Sequence, residues 1–197
     1  AGLSKYGPAS FSCRGRREGY LGLHVALIGL SGAGKTTVAP LAAARLGFPW
    51  LDLDQEIERA TGKPIATIFA EKSEAEFRAL EAAALEDALA TKGPGLVLAC
   101  GGGVVTTPAT RSRLRSRAFV VWLRVSPAEA LTRIGREGVA ERPLLRASGG
   151  QALEAMLRER APLYEGAADA VVDTDGLTPG DVADRVTALC RSDPTWP

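Results

Sequence analysis

The stretch "HVALIGLSGAGKTT", His24 to Thr37, decides the fold of this 197-residue chain. Its first five residues are apolar or β-branched apart from the histidine, a composition typical of a short strand buried on both faces. The segment Gly29 to Thr36 then matches the pattern G-x-x-x-x-G-K-[ST] in full. A helix-forming run, "TTVAPLAAARL", follows directly. The order of strand, glycine-rich loop and helix predicts a loop that binds phosphate groups.

The residue types in this loop are those that phosphate binding requires. Glycines let successive backbone N–H groups curl around an anion, and the following helix adds the positive end of its dipole. Lys35 supplies a charge for the β- and γ-phosphates, and the Thr36 hydroxyl suits Mg²⁺. The residues expected to contact a nucleoside triphosphate are Gly32, Ala33, Gly34, Lys35, Thr36 and Thr37. The loop alone does not separate a kinase from a GTPase, a motor or an ATP-driven switch.

Composition narrows the class of protein. With 46% hydrophobic and 24% charged residues, the chain fits one compact α/β domain. The net charge is only +1, so no global field attracts nucleic acid or an anionic membrane, and we expect neither as a partner. Three cysteines stand far apart without a CxxC pair, which favours a reducing, cytoplasmic compartment. The single histidine, His24, excludes histidine-based triads.

Three segments differ in pattern along the chain. Residues 1–22 mix Gly, Ser and Arg without periodicity, which predicts a disordered tail or linker remnant. Residues 23–191 form the expected domain, and 192–197 a C-terminal tail. Within the domain, five β-rich runs alternate with helices, which indicates a parallel sheet with helices on both faces: "HVALI", "FPWLDLD", "LVLAC", "AFVVWLRV" and "DAVVDT". The charged, aperiodic segment from Arg136 to Gly150 is expected to be a mobile flap.

Two carboxylates end the second apolar run. Asp52 and Asp54 are two residues apart, so they point the same way from a strand, or one of them turns into the following loop. In open α/β sheets, ligands bind beyond the carboxyl ends of the strands, where this pair is expected to lie. One carboxylate can then hold Mg²⁺ waters while the other accepts a hydrogen bond from an acceptor hydroxyl. The alternative is that Asp54 only caps the helix that begins nearby.

Further charged and glycine residues follow the remaining strands. Arg78 and Glu81 are one helical turn apart, so a plain ion pair explains Arg78 as well as a binding role does. The triglycine Gly101–Gly103 allows close approach of backbone to a ligand, although a tight turn explains it almost equally. Arg142 lies in the expected flap, and Arg160 lies just before a proline.

Taken in order, these motifs resemble the shikimate kinase family over residues 24 to about 190. The segments that carry the resemblance are "GLSGAGKTT", "LDLDQEIE", "IFAEKSEAEFRALE", "CGGGVV", "RPLL" and "RAPLY". The resemblance implies a single P-loop kinase domain of the nucleoside-monophosphate-kinase-like type, with strand order 2-3-1-4-5 and a mobile lid. It implies a monomer that uses ATP and Mg²⁺ to phosphorylate the 3-hydroxyl of shikimate, in aromatic amino-acid biosynthesis.

The resemblance also implies roles for single residues. Lys35, Asp54 and Arg142 are expected to act in catalysis, with Arg142 on the phosphates. The expected shikimate contacts are Asp54, Arg78, Gly101, Gly102, Gly103 and Arg160. Thr36 and Asp52 are expected to hold the magnesium ion, and Arg133 to stack on the adenine. The loop after the last strand, "DTDGLTP", departs from the family because it lacks a basic residue.

Two other functions fit the same residues less well. A kinase for another small acid, such as gluconate, would share the phosphate loop and the arginines. A regulatory domain that binds the ligand without chemistry would be expected to have lost part of the acceptor set, which is complete here.

Overall fold

The structure is a computed structural model that describes residues 24–91, 93–140, 149–193 and 196. Its five strands are β1 (His24–Ile28), β2 (Trp50–Asp52), β3 (Val97–Ala99), β4 (Ala118–Arg124) and β5 (Ala170–Asp173). All neighbours pair in parallel, in the order β2-β3-β1-β4-β5. The predicted parallel sheet, its five strands and its order 2-3-1-4-5 are confirmed.

Eight helices surround this sheet in the part of the chain that the structure describes. They are α1 (Lys35–Leu46), α2 (Leu53–Thr61), α3 (Ile65–Glu71), α4 (Glu74–Ala90), α5 (Pro108–Arg117), α6 (Pro127–Ala140), α7 (Gly149–Ala167) and α8 (Pro179–Ser192). None of these described helices is both long and apolar enough to cross a bilayer.

The centre of the sheet explains the apolar first strand. Every residue of β1 is buried, because β3 and β4 flank it and helices cover its faces. Helices α1 and α8 pack on each other, while α7 contacts α5, α6 and β4. Strand β1 leads directly into the phosphate loop, so the loop is anchored in the most buried part of the molecule.

The second strand is shorter than the sequence predicts. Strand β2 ends at Asp52, whose Oδ1 accepts hydrogen bonds from the backbone N–H groups of Asp54 (3.0 Å) and Gln55 (3.3 Å). Helix α2 therefore begins at once, with Asp52 as its N-cap. The interpretation that Asp54 caps this helix is wrong, and so is the picture of both carboxylates on one strand. Asp54 lies in the first helical turn.

The segment expected to be a flap is partly helical. Helix α6 continues to Ala140 with an interruption at Gly135, where φ is 68°, and α7 begins at Gly149. Helical backbone at both ends shortens the aperiodic part of the predicted flap. Its centre, with Arg142, lies outside the described residues, as does the predicted tail of residues 1–22. At the other end, α8 runs to Ser192 and Trp196 stacks on Phe48 with ring centroids 5.7 Å apart.

Candidate active site

A cavity of about 500 Å³ opens at the carboxyl ends of the strands. The phosphate loop and the start of α1 form its middle, because β1 is the central strand. The β2 and β3 side contributes Asp52, Asp54, Cys100 and Gly102. The β5 side contributes Arg133, Ile134, Leu177, Pro179 and Val182. The cavity thus joins a polar, acidic end to an apolar end across a loop built to bind phosphate.

The Lys35 ammonium folds back on its own loop. It donates hydrogen bonds to the carbonyl oxygens of Gly29 and Leu30, both at 2.8 Å, and the residue is 9% exposed. Gly32 needs its missing side chain, because φ is 83° and a Cβ there would lie 2.6 Å from the Ala130 carbonyl oxygen. The loop is therefore packed tightly on the start of α6. The Lys35 ammonium lies on the loop that is predicted to bind phosphate.

Thr36 and Asp52 meet at the mouth of the loop. The Thr36 hydroxyl donates to Asp52 Oδ2 at 2.6 Å, and both residues line the cavity. A hydroxyl and a carboxylate are hard oxygen ligands of the kind that Mg²⁺ takes when phosphates and waters complete its shell. Among the described residues no group of three or more His, Cys, Asp or Glu side chains could hold a metal alone. The residues present therefore fit a magnesium ion that arrives with a nucleotide.

The carboxyl group of Asp54 has a pKa above its usual range. Burial, followed by the negative charges of Asp52 and Glu81, raises the pKa of the Asp54 carboxyl to about 6. Such a carboxylate is held ionised near neutral pH at a cost, and it gains by accepting a hydrogen bond from a ligand hydroxyl.

Arg78 and Glu81 form the ion pair that their spacing predicts, but they are also part of the site. Arg78 Nη1 lies 2.8 Å from Glu81 Oε2, and Glu81 is 1% exposed. The Arg78 guanidinium lies against Gly103, where an added Cβ would meet it at 2.3–2.4 Å. Arg78 Nε and Glu81 Oε1 are buried and have no hydrogen-bond partner among the described residues. These unpaired polar atoms mark a place for a polar ligand.

Helix α7 reaches the triglycine from the other side. Arg160 Nη1 donates to the Gly102 carbonyl oxygen at 3.2 Å, and the Tyr164 hydroxyl donates to the same oxygen at 2.5 Å. Arg160 is 8% exposed, and its Nε has no hydrogen-bond partner in the described part of the chain. The structure therefore brings Arg78 and Arg160, 82 positions apart in the chain, to the two sides of one glycine loop.

At the opposite end of the cavity, Arg133 is fixed by the last strand. Its guanidinium donates to the Thr174 hydroxyl at 3.0 Å and to the Thr174 carbonyl at 2.6 Å, and its Nε lies 3.0 Å from Glu129 Oε1. The side chain lines the cavity beside Leu177 and Pro179. Leu177 and Pro179 belong to the segment "DTDGLTP", which lacks a basic residue. Their apolar side chains suit contact with a flat nucleotide base.

The sequence reasoning missed several contributors. Glu81 appeared only as an ion-pair partner, although its free oxygen faces the same space as Asp54 Oδ1: a Cβ on Gly101 would lie 2.5 Å and 2.9 Å from them. Tyr164 lies inside the quoted motif "RAPLY", yet only the fold shows its contact with Gly102. Cys100 is buried next to the triglycine, and burial raises the pKa of its thiol far above its usual range.

The fold and this site define a P-loop kinase that passes a phosphoryl group to a small polar acceptor. A profile described as shikimate kinase matches residues 31–191. The chain belongs to the shikimate kinase family. It is 44% identical to the shikimate kinase of Thermobifida fusca over 160 residues, covering 81% of this chain and 90% of that protein. It is 45% identical to that of Salinispora tropica over 166 residues, covering 84% and 96%.

A solved structure gives the same assignment. The structure of the shikimate kinase from Acinetobacter baumannii in complex with shikimate superposes with a TM-score of 0.83 at 36% sequence identity. The superposition covers 88% of this chain and 96% of that chain.

Proposed function

We propose that this protein transfers the γ-phosphoryl group of ATP to the 3-hydroxyl of shikimate, giving shikimate 3-phosphate and ADP. One observation carries the proposal: Arg78 packs against Gly103 and Arg160 bonds to Gly102, each with a buried Nε that has no hydrogen-bond partner among the described residues, while Asp54 lies against Gly101 of the same triglycine. Family membership supports the same reaction.

The acceptor side suits a hydroxy acid without an aromatic ring. A carboxylate is best held by planar guanidinium groups, which Arg78 and Arg160 supply. Ring hydroxyls need an acceptor, which the Asp54 carboxylate supplies. The ring lies against the backbone of Gly102, which lines the cavity, while the missing side chains of Gly101 and Gly103 leave room for Asp54, Glu81 and Arg78. Family membership favours shikimate over gluconate, the other acid that these groups could hold.

The phosphoryl side works through charge and position. Lys35 exchanges the carbonyls of Gly29 and Leu30 for the β- and γ-phosphates of ATP. Thr36 and Asp52 would hold Mg²⁺, which would neutralise phosphate charge when bound. The acceptor oxygen forms the new bond to phosphorus, ADP leaves, and the hydroxyl proton passes to Asp54.

Two further residues complete the proposed site. Arg133 stacks on the adenine, with Leu177 and Pro179 beside it. Arg142, carried over from the sequence, contributes charge to the transferring phosphate.

The test is ADP release by the purified chain, measured with ATP and Mg²⁺ in the presence of shikimate, of gluconate, or of neither acid. We expect turnover only with shikimate, and loss of turnover in a Lys35→Met control. Turnover with gluconate alone would assign the other acid, and binding of shikimate without ADP release would assign a ligand-binding domain. We also propose a cytoplasmic monomer; Cys100 and Cys190 are buried free thiols, which suits a reducing compartment.

A further inference from the structure

The two donors to the Gly102 carbonyl differ in how firmly they are held. Tyr164 is 0% exposed, and its ring stacks on Trp122 with centroids 5.5 Å apart and an interplanar angle of 26°. Burial, only partly opposed by the charge and hydrogen bond of Arg160, raises the pKa of its hydroxyl to about 12, so it acts as a neutral donor throughout the physiological range. Its bond to Gly102 O, at 2.5 Å, is the shorter of the two. Tyr164 is a fixed support beneath the triglycine.

Arg160 lies one helical turn before Tyr164 and shares that acceptor at the longer distance of 3.2 Å. Its guanidinium still has a buried Nε with no partner among the described residues. A carboxylate beside it would offer two charged acceptors in place of one shared carbonyl, so Arg160 gains by turning toward a bound acid. That turn would remove one donor from Gly102 O.

The Gly102 carbonyl matters because it sets the direction of its whole peptide group. In a planar trans peptide the C=O and the next N–H point in opposite directions, and the described chain has no cis bond. With the Gly102 oxygen held toward α7, the N–H of Gly103 points away from α7. Gly103 is also the residue against which the Arg78 guanidinium packs. A peptide flip here would disturb both the loop and Arg78.

We propose that Tyr164 is a positioning residue for shikimate: its hydroxyl holds the Gly102 carbonyl, so that Arg160 can turn to the acid while the triglycine keeps its conformation. The inference rests on the proposed function. Tyr164 does not touch the substrate; it acts through Gly102 and Arg160.

The test compares Tyr164→Phe with a matched control, Thr106→Val. Tyr164→Phe keeps the ring on Trp122 and removes the hydroxyl, which donates to Gly102 and also makes a hydrogen bond with the Arg160 side chain. Thr106 Oγ1 also donates to a carbonyl of this loop, but to that of Gly103, at 2.7 Å, and not to the Gly102 carbonyl that Arg160 and Tyr164 share. Thr106→Val therefore removes a loop hydrogen bond without changing the competition at Gly102.

We expect Tyr164→Phe to raise the KM for shikimate about tenfold, the size of effect that loss of one buried hydrogen bond produces, with the KM for ATP unchanged and kcat within about twofold. Thr106→Val should raise the shikimate KM less than about threefold. In an Arg160→Lys background, Tyr164→Phe should have a smaller effect, because the residue through which it acts is already impaired.

An unchanged shikimate KM in Tyr164→Phe, an equal rise in both KM values, or an equal effect of Thr106→Val would each overturn the inference. Failure of the proposed function would appear differently, as wild-type protein that releases no ADP with shikimate.

Discussion

At the scale of single residues, the site depends on the geometry of guanidinium groups. Arg160→Lys keeps the positive charge but loses the planar fork that meets a carboxylate with two parallel hydrogen bonds. We expect shikimate binding to weaken by about 2 kcal/mol, since a desolvated carboxylate would be left underpaired. Titration calorimetry with shikimate and, separately, with ATP checks this. If ATP affinity fell instead, Arg160 would belong to the nucleotide side.

Asp54 offers a second residue-scale prediction, based on its raised pKa of about 6. In protein free of nucleotide and metal, shikimate affinity should fall as pH drops through about 6, because a protonated carboxyl no longer accepts a hydrogen bond in the same way. Asp54→Asn should bind shikimate weakly and with no such pH dependence. Calorimetry between pH 5 and pH 8 separates the two variants. An unchanged wild-type affinity across that range would remove Asp54 from the hydroxyl contacts.

The same carboxylate should weaken the fold. The folded pKa lies above the unfolded value, so the stabilisation from its proton is present at low pH and is lost as pH rises through about 6. Asp54→Asn should therefore raise the free energy of unfolding at pH 7 by about 1–2 kcal/mol, and by much less below pH 4. Urea denaturation at both pH values measures the difference. A gain independent of pH would mean that the charge of Asp54 is not its source.

At the scale of elements, two capped helices contribute residues to opposite ends of the site: α4 to the acidic end and α8 to the apolar end. Ser73 caps α4 with a capping box to Glu76, and Thr178 caps α8 with one to Asp181. Ser73→Ala and Thr178→Ala should each lower the free energy of unfolding by about 1 kcal/mol. Helix α4 holds Arg78 and Glu81, so Ser73→Ala should also raise the KM for shikimate and leave that for ATP unchanged.

Thr178 serves as the comparison, because it lies between Leu177 and Pro179 at the apolar end of the cavity. Thr178→Ala should raise the KM for ATP rather than that for shikimate. Steady-state kinetics of both variants, beside their melting curves, checks the split. The same KM change in both variants would mean that the caps affect only global stability.

The elements also show where sequence reasoning succeeds. Both capping boxes use short-range patterns: a Ser or Thr followed three residues later by an acidic residue is visible in the sequence at Ser73 and at Thr178. The predicted end of the second strand was wrong, because at that point the strand competes with the start of helix α2. The Asp52 carboxylate accepts two backbone N–H groups and starts α2 before the strand pattern "FPWLDLD" ends. The periodicity of apolar residues does not indicate these two hydrogen bonds, so it could not predict where the strand ends.

At the scale of the whole molecule, the central strand contains a pH-sensitive residue. His24 begins β1, is 2% exposed, and neither ring nitrogen has a hydrogen-bond partner in the described structure. Burial is the main cause that lowers its pKa; the Leu89 backbone opposes this in part, and the charge of Arg117 adds a smaller lowering. The unfolded chain binds this proton more readily, so stability should fall as pH drops below the ordinary histidine value of about 6.5.

A substitution at His24 separates its contribution to the pH dependence of stability from that of the acidic residues. His24→Phe keeps an apolar ring in a buried strand, and its free energy of unfolding should lose less than that of the wild type between pH 7 and pH 5. The measurement is the difference between the two denaturation curves at each pH. A constant difference would exclude His24 as the source of the pH dependence.

The sequence by itself determined the five-stranded parallel sheet and the phosphate loop, because these follow from local signals: buried apolar strands, glycines at fixed spacing, and a helix-forming run directly after the loop. The strand order 2-3-1-4-5 came from the resemblance to the shikimate kinase family, and the structure confirms it. The roles of Thr36 and Asp52 as magnesium ligands, and of Arg133 and Arg142 at the nucleotide, stay predictions. For Arg78 the sequence offered two interpretations, an ion pair with Glu81 and a binding role, and spacing along one helix could not choose between them.

Only the tertiary structure decided how the acceptor end is assembled. Arg78 on α4, Gly102 after β3 and Arg160 on α7 are separated along the chain, and they meet because parallel strands end at one edge of the sheet. Burial then sets the chemistry of this end: it raises the pKa of Asp54 and leaves Glu81 Oε1 and the Nε atoms of Arg78 and Arg160 without hydrogen-bond partners among the described residues. The fold also places the Tyr164 hydroxyl on the Gly102 carbonyl. These properties arise from removal of water around groups that are distant in sequence, and no local pattern records them.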